Sequence, residues 1–300
     1  MDTSSPPIAF ILDFDGTITQ EDTISTIAHF GITCQKARGK DLENDWYLLS
    51  DTYVESFSRS FHGYKPAEAD RKTLSEEITY QRALKNLELW SFNHVGQSGI
   101  FKEIEDDQWR EFAKDSLAKG DVKVRKRFGD FVKQVNEAKA TWGVVSVNFS
   151  GQFIRGVLAA SAGAGAAEVE VEVLANHPNE EGTLLGPNGG PVMATSDAKL
   201  AAMKDLLQKW RSDSKTGFSK VVYIGDSGTD IECLTAEGVT GIAMSNDGKG
   251  RLMDTLNRIG HSPVHVSSQQ EGKSPSLYWA RNFEEIINSP LFGLDAGRGI

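Results

Sequence analysis

Cysteine, long apolar runs and positive charge are all scarce in this chain of 300 residues. Its two cysteines, Cys34 and Cys233, lie far apart and lack the spacing of a metal site, which fits a reducing compartment. No apolar run reaches the length of a membrane span, and the N-terminal stretch MDTSSPPIAF lacks the basic start and apolar core of a secretory signal. These absences predict a cytosolic protein that does not enter a membrane.

The charge balance is acidic. The formal net charge is -10 and the sequence pI is about 5.2, so the chain lacks the basic footprint of a general nucleic-acid binder and is a poor match for anionic lipid. The length suffices for one large domain, or for a core that carries an inserted module. We therefore expect neither nucleic acid nor a membrane as a partner, and the sequence leaves the oligomeric state open.

Four short apolar runs have the length and β-branched content of buried parallel strands. They are IAFIL (8–12), WGVVSVNF (142–149), KVVYIG (220–225) and GVTGIAM (238–244). Each lies near a helical pattern, and this alternation predicts an α/β fold with a doubly wound, mainly parallel sheet. In such sheets ligands bind at the carboxyl ends of the strands.

Residues 21–124 carry amphipathic helical patterns and no convincing strand. We predict that they form a helical cap inserted into a catalytic core made of residues 1–20 and 125–300. One stripe of large apolar side chains at helical spacing predicts the buried face of a cap helix. Its members are Trp46, Leu49, Tyr53, Phe57 and Phe61.

A glycine-rich stretch in residues 159–195 does not match a dinucleotide-binding loop. No strand leads directly into Gly163 and Gly165, and Glu168 stands where the third glycine belongs. The alternating run EVEVEVLA instead has the period of a half-exposed strand, and NEEGTLLGPNGG carries the turn signals of a small hairpin. The C-terminal SPLFGLDAGRGI is expected to be loosely held.

The first strand ends in two aspartates. Asp13 and Asp15 share one side of the chain because strand side chains alternate, and Gly16 permits a sharp turn after them. Two carboxylates this close repel each other, and a bound Mg²⁺ would resolve the repulsion. A solvated turn or a capping aspartate would give the same local pattern.

A second acid-tipped strand strengthens the metal hypothesis. Asp226 follows the run VVYIG directly, where it could meet Asp13 around one ion, and Asp230 lies four residues further on. Asp230 is also well placed to cap a helix beginning at GTDIECL.

Two more strand or helix ends supply groups suited to phosphate. Ser146 lies near the end of the strand WGVVSVNF and could donate to a phosphoryl oxygen, although a helix cap is the common role of such a serine. Phosphoryl transfer also needs a cation. Lys199, at the start of the predicted helix DAKLAAMKDLL, is favoured over Lys204 one turn later.

Together, DFDGT, VVSVN, DAKLAAMK and GDSGTD resemble, in order, the four motifs of the haloacid dehalogenase-like (HAD) superfamily. The resemblance covers residues 8–20 and 125–250. The helical insertion directly after the first motif resembles the cap of the phosphoserine phosphatase-like branch and of its methionine-salvage relatives. As a set, these motifs are highly specific.

This resemblance implies a Mg²⁺-dependent phosphatase that acts on a small phosphorylated metabolite through an aspartyl-phosphate. Asp13 would be the nucleophile and Asp15 the general acid. The metal would be bound by the Asp13 carboxylate, the Asp15 carbonyl and Asp226, with Asp230 near or in that shell. The phosphoryl group would be bound by Ser146, Asn148 and the N–H groups around Asp15, Gly16 and Val147. Lys199 would neutralise negative charge. Because a halide needs no proton donor, the presence of Asp15 favours phosphate over a C–Cl bond.

The substrate itself stays open. Where phosphoserine phosphatases carry a glutamate nine positions after the nucleophile, this chain has Asp22, with Glu21 beside it, so phosphoserine is not assigned. Asp22 could bind substrate or cap the helix that follows it. Transfer to another hydroxyl, as in a mutase, action on a diphosphate, and a non-catalytic phosphate-binding role are the alternatives.

Overall fold

The structure is a computed structural model that describes residues 7–161, 171–214, 217–268 and 276–292. The paired glycines at 163 and 165, the first three residues of the alternating run (168–170) and the last eight residues lie outside this part. The architecture given below is that of the residues in these four ranges.

The strands include all four that the sequence predicts, two of them with the predicted bounds, while the second ends at Val145 and the fourth begins at Val239; several short strands are present besides. Their bounds are β1 Ile8–Leu12, β2 Thr141–Val145, β3 Glu172–Leu174, β4 His177–Pro178, β5 Leu184–Leu185, β6 Lys220–Gly225, β7 Val239–Met244, β8 Val264–His265 and β9 Leu277–Ala280. The predicted hairpin is present as the antiparallel pair β4–β5. Of the alternating run, the described part contributes β3.

The helices fall into two groups along the chain. Five lie in the segment 21–124: α1 Ile24–Ala37, α2 Glu43–Gly63, α3 Leu74–Ala83, α4 Lys85–Gln97 and α5 Asp106–Lys119. The others are α6 Phe128–Glu137, α7 Gly151–Ser161, α8 Ser196–Ser214, α9 Ile231–Leu234, α10 Arg251–Arg258 and α11 Phe283–Ile287. No helix among the described residues combines the length and apolarity needed to cross a bilayer.

Seven of the strands form one parallel sheet in the order β3-β2-β1-β6-β7-β9-β8. The strand order reverses at β1, which pairs with β2 on one side and β6 on the other. The α/β fold with a doubly wound parallel sheet is therefore confirmed. The crevice at the carboxyl ends of β1, β2 and β6 is where such a sheet binds ligands.

Both faces of the sheet are covered by apolar side chains. Alternate residues of β1 serve opposite faces: Phe10 and Leu12 pack in one buried cluster, and Ala9 and Ile11 pack in the other. A strand buried on both faces needs an unbroken apolar run, which is why IAFIL could be recognised from its sequence.

The chain leaves and re-enters the core at one crossing. Thr19 forms an isolated antiparallel bridge with Val124, the Gln20 N–H donates to the Lys123 carbonyl, and the Arg125 N–H donates to the Ile18 carbonyl, both at 2.8 Å. The five helices α1–α5 lie between the two strands of this crossing. The predicted division into a core and a 21–124 cap stays a prediction, since part of the insertion shares its apolar core with the sheet.

That shared core comes from α1, α4 and α5. Ile27 and Trp109 belong to the same buried cluster as Phe14 of the first motif. Helix α5 also packs closely on α7, where a Cβ on Gly156 would lie 2.7 Å from the Cβ of Ala113. Helices α2, α3 and α4 supply most of the side chains of the insertion that face the crevice.

The aromatic stripe of α2 differs from the expectation that it is fully buried. No residue of this helix is buried, and four of the five stripe members line a cavity instead, namely Trp46, Leu49, Tyr53 and Phe57. An amphipathic pattern shows which face turns inward, but it does not show whether that face meets packed side chains or a ligand space.

Helix α3 is tied to the core by charged side chains. Arg258 of α10 donates to Glu77 Oε2 at 2.9 Å, and the same oxygen accepts from Arg71 Nε at 2.8 Å. Nearby, Arg82 Nε donates to Glu232 Oε1 at 2.9 Å. These contacts fix the cap on the α8–α10 side of the crevice.

Candidate active site

Two of the predicted acids meet at the ends of neighbouring strands. Asp13 follows β1 and Asp226 follows β6, and the parallel pairing of these strands brings both to one edge of the sheet. One carboxylate oxygen from each, together with one from Asp230, lies within 4.8 Å of the others. Gly16 makes room for this cluster: its φ is +68°, and a Cβ there would lie 2.1 Å from Asp226 Oδ2.

Lys199 is the cation of the site, and Lys204 is exposed on the same helix. The Lys199 side chain is completely buried, with its Nζ 2.8 Å from Asp13 Oδ1 and 2.6 Å from Asp230 Oδ1. Burial lowers its pKa, but the charges of Asp13 and Asp230 outweigh this and raise the pKa above the usual value. Lys199 is therefore held in the charged form.

Both oxygens of Asp230 are engaged by the protein. Oδ1 accepts from Lys199 and from the Tyr223 hydroxyl, each at 2.6 Å. Oδ2 accepts from the N–H and hydroxyl of Ser227 and from the N–H of Asp226. Burial raises the pKa of Asp230, but Lys199 and these hydrogen bonds reverse the effect and leave it below the usual value. Asp230 thus orients Lys199 and the loop that carries Asp226.

For Asp13 and Asp226, the effects that raise the pKa outweigh those that lower it. Burial, followed by the charge of Asp230, raises the pKa of Asp13 well above its ordinary value and that of Asp226 to about 7. Lys199 offsets these effects in part. Three acids around one ammonium leave the cluster short of positive charge, and carboxylate oxygens are the ligands that a hard divalent cation prefers. The donor set therefore fits Mg²⁺.

Asp15 points away from this cluster and is held by two neighbours. Its Oδ1 accepts from the N–H and the hydroxyl of Thr23 at 2.9 and 2.6 Å, and its Oδ2 accepts from Asn148 Nδ2 at 2.7 Å. Burial, followed by the charge of Asp22, raises the pKa of Asp15 to about 6. The carboxyl group can thus exchange a proton near neutral pH.

The predicted phosphate-binding groups are placed differently from one another. Ser146 and Val147 line the cavity, and Ser146 Oγ accepts from the Asn148 N–H at 3.2 Å, which leaves its hydroxyl proton to be donated. Asn148 itself is buried behind Asp15, where its amide binds Asp15 and Thr23. The Gly16 N–H donates to Thr19 Oγ1 at 3.1 Å.

Asp22 lies just before the N-cap of α1 and also faces the cavity. Its Oδ1 accepts from the Ile24 N–H at 2.7 Å, so it stabilises the start of α1, where Thr23 occupies the N-cap position. Burial raises the pKa of Asp22.

Several supporting residues were not identified from the sequence. Thr17 Oγ1 donates to Asp226 Oδ1 at 3.1 Å, and Arg125 donates to the Gly16 carbonyl through Nε and Nη2. Asn176 Nδ2 donates to the carbonyls of Val147 and Asn148. Thr17 stands within the first motif and could have been noted there. Arg125 and Asn176 carry no local signal, because their partners are distant in sequence.

The site opens into a cavity of about 750 Å³. Asp13, Asp15 and Asp226 lie at its inner end, and helices α2, α3 and α4 supply much of its outer wall. A ligand bound here would therefore touch both the strand ends and the cap.

No protein-family model matches this chain. It is 26% identical to cold tolerance protein 1 of Saccharomyces cerevisiae over 253 residues, which covers 79% of this chain and 78% of the yeast protein. A CTO1 family protein of Schizosaccharomyces pombe is 24% identical to it, and the match covers 83% of this chain and 85% of the S. pombe protein. The mitochondrial bifunctional TH2 protein of Arabidopsis thaliana is 25% identical over 96% of this chain, which matches half of the plant protein.

Solved structures resemble the whole arrangement. Cytosolic 5'-nucleotidase IIIB bound to cytidine aligns with a TM-score of 0.52 at 13% identity, covering 84% of this chain and 78% of its own. A HAD family hydrolase from Salmonella enterica aligns with a TM-score of 0.51 at 11% identity, covering 94% and 71%. With its four motifs gathered at one edge of a parallel sheet, the chain has the HAD-like α/β fold of these structures.

Proposed function

We propose that this protein is a Mg²⁺-dependent phosphatase that hydrolyses a small phosphomonoester through an aspartyl-phosphate on Asp13. The observation that carries the proposal is the convergence of Asp13, Asp226 and Lys199 at the inner end of a cavity that Asp15 also lines. The solved structures named above include a nucleotidase and a hydrolase, and they support this class of reaction on this fold.

The first step transfers the phosphoryl group. An Asp13 carboxylate oxygen attacks phosphorus, the bond from phosphorus to the ester oxygen breaks, and Asp15 gives that oxygen its proton, so the alcohol leaves neutral. Ser146 donates its hydroxyl to a phosphoryl oxygen. Lys199, 2.8 Å from Asp13, favours the ionised carboxylate and offsets negative charge as the phosphate approaches.

The second step returns Asp13 to its starting form. Water attacks the aspartyl-phosphate at phosphorus, Asp15 accepts a proton of that water, and the bond between phosphorus and the Asp13 oxygen breaks, which releases inorganic phosphate and restores the Asp13 carboxylate. One carboxyl group can serve both steps because the pKa of Asp15 is raised to about 6. Thr23 and Asn148 hold this carboxyl in place for both proton transfers.

The metal would be held by the carboxylates of Asp13 and Asp226 and by the Asp15 carbonyl. When bound, Mg²⁺ would supply positive charge that stabilises the phosphoryl oxygens and offsets the repulsion between the acids. We assign Asp230 to Lys199 and the Asp226 loop, because both of its oxygens already accept hydrogen bonds from protein groups.

Substitution of the nucleophile tests this proposal. With a panel of phosphomonoesters and Mg²⁺, we expect the wild-type protein to release inorganic phosphate and Asp13→Asn to lose at least about a thousandfold in kcat. Asp115→Asn is the matched control, because Asp115 is an exposed residue of α5. A chelator should abolish the wild-type rate, and added Mg²⁺ should restore it.

Two results would count against the proposal. An Asp13→Asn variant as fast as the wild type would remove Asp13 as nucleophile, and activity indifferent to the chelator would remove the metal. Diphosphates and a second acceptor alcohol belong in the same assay, since phosphoryl transfer without phosphate release would indicate a transferase.

A further inference from the structure

The outer wall of the cavity is rich in aromatic rings. Trp46, Tyr53 and Phe57 come from α2, Phe92 from α4, and Phe149 from the loop after β2. The volume of about 750 Å³ is that of a site for a small organic ligand, well beyond the needs of phosphate alone. Aromatic walls favour planar rings, which pack against them by stacked or edge contacts.

One carboxylate stands within this wall without a basic partner. Glu88 of α4 accepts a hydrogen bond from the Tyr53 hydroxyl at 2.9 Å, and no ion pair engages it among the described residues. Burial raises its pKa to about 7 while the Tyr53 hydrogen bond lowers it, so a substantial share is ionised at neutral pH. A half-buried carboxylate without a cation is costly, and a donor on a ligand would offset that cost.

The other acid on the cap side is already matched. Glu77 Oε2 accepts from Arg71 and Arg258, and its Oε1 accepts from Gln81 at 3.2 Å. Glu88 therefore differs from Glu77 in having an oxygen free for a ligand.

Positive charge in the cavity is limited. Among the described residues that line it, the one basic side chain is Arg251, an exposed residue whose guanidinium lies over Phe57 and Phe61 at 5.4 and 5.0 Å. Glu88 and Asp22 outnumber it on the substrate side of the site, since Glu77 is already matched by Arg71 and Arg258. A leaving group with a second phosphate or carboxylate would meet net negative charge here, whereas a neutral or cationic one would not.

We propose that the substrate is a phosphomonoester whose alcohol carries a planar ring with an ammonium or N–H donor, and that Glu88 binds this donor. The inference rests on the proposed phosphatase function. Tyr53 sets the position of the Glu88 carboxylate, the aromatic wall takes the ring, and the phosphate reaches Asp13.

An isosteric pair of esters tests the donor. The probes are 4-(aminomethyl)benzyl phosphate and 4-ethylbenzyl phosphate, in which a methyl group replaces the ammonium. We expect the wild type to favour the ammonium ester by about tenfold or more in kcat/KM, and Glu88→Gln to bring the ratio within about twofold of one. Glu111→Gln, at an exposed position of α5, should keep the wild-type ratio.

Binding of the non-hydrolysable phosphonate analogues of the same pair separates this inference from the proposed function. If no ester is hydrolysed but the wild type binds the ammonium phosphonate more tightly and Glu88→Gln does not, the phosphatase proposal fails and the assignment of Glu88 stands. A wild-type ratio near one, or a preference that survives Glu88→Gln, overturns the inference. So does a preference that disappears in Asp22→Asn alone, since the donor would then bind near the strand ends.

Discussion

At the scale of single residues, the site depends on one buried ammonium between two acids. Lys199 joins Asp13, which faces the substrate space, to Asp230, which faces the protein. Its ionic contacts therefore serve both the nucleophile and the loop that places Asp226. A side chain in this position contributes to the stability of the fold as well as to the proposed catalysis.

Replacing Lys199 by methionine should destabilise the fold. The change leaves two buried carboxylates without their cation, so we expect the free energy of unfolding to fall by about 3 kcal/mol or more. Lys204→Met is the control on the same helix, and its exposed side chain should change the value by less than about 0.5 kcal/mol. Denaturant unfolding measures both. Adding Asp230→Asn to Lys199→Met should recover part of the loss, and additive effects would argue against the ionic coupling.

Gly16 offers a second test at this scale. Gly16→Ala places a side chain at φ +68° and sets a Cβ 2.1 Å from Asp226 Oδ2, so Asp226 must move. We expect a stability loss of about 1 kcal/mol from the backbone and a loss of about a hundredfold in phosphatase rate from the displaced acid.

Gly39 separates these two effects. Its φ is +81°, but nothing lies within 4 Å of the position of its Cβ. Gly39→Ala should therefore show the backbone cost, measured by thermal unfolding, and keep the phosphatase rate. Equal losses of activity in the two variants would mean that crowding of Asp226 is not the cause.

At the scale of elements, the cap is anchored along α3. Glu77 brings Arg71 of the cap and Arg258 of α10 to one carboxylate oxygen, while Arg82 reaches Glu232 of α9. Helix α2 has no buried residue and, among the described residues, no ion pair with α8–α10; its contact with α10 is the weaker one of Arg251 with the rings of Phe57 and Phe61. Opening of the cavity, where substrate enters, is therefore expected on the α2 side.

Glu77→Gln should weaken this anchor. It leaves the buried Arg71 guanidinium without an anion and Arg258 with Glu68 alone at 3.9 Å, and we expect a loss of about 3 kcal/mol in the free energy of unfolding at neutral pH. Glu68→Gln is the control, because Glu68 approaches Arg258 to 3.9 Å from a partly exposed position.

The effect of Glu77→Gln should depend on pH in a defined direction. Burial raises the pKa of Glu77, but Arg71 and Arg258 outweigh it and hold the pKa below its ordinary value of 4.5. A lowered pKa contributes stability that is full above 4.5 and is lost as pH falls through the folded value. The difference between wild type and variant should therefore shrink in acid, and a difference that grows there would contradict the ion pairing.

At the scale of the whole molecule, the features that the sequence predicted are those with local causes. A strand buried on both faces needs an unbroken apolar run, and a parallel sheet brings strand ends together, so Asp13 and Asp226 could be paired before their contact was seen. Lys199 could be preferred to Lys204 because it stands at the helix end nearest those strand tips.

What the sequence did not predict depends on contacts between distant segments. Arg258 and Glu77 are 181 positions apart, and the sequence around either residue does not indicate which residue it contacts. The period of α2 marks its inward face, but its aromatic rings line a cavity that exists only once the cap stands over the sheet. Glu88 is an ordinary helix residue until that cavity forms around it. Short strands such as β9 were also missed, because four residues carry too little periodic signal.

Transfer of the phosphoryl group to Asp13 is the step on which the proposed chemistry depends. Its most direct test is to quench the wild-type protein during turnover with borohydride, which reduces an aspartyl-phosphate to homoserine, and to locate the product by peptide mass spectrometry. We predict homoserine at position 13 when ester and Mg²⁺ are present, and aspartate there when the ester is omitted. Phosphate release with homoserine at another position, or with none at any aspartate, would contradict the assignment.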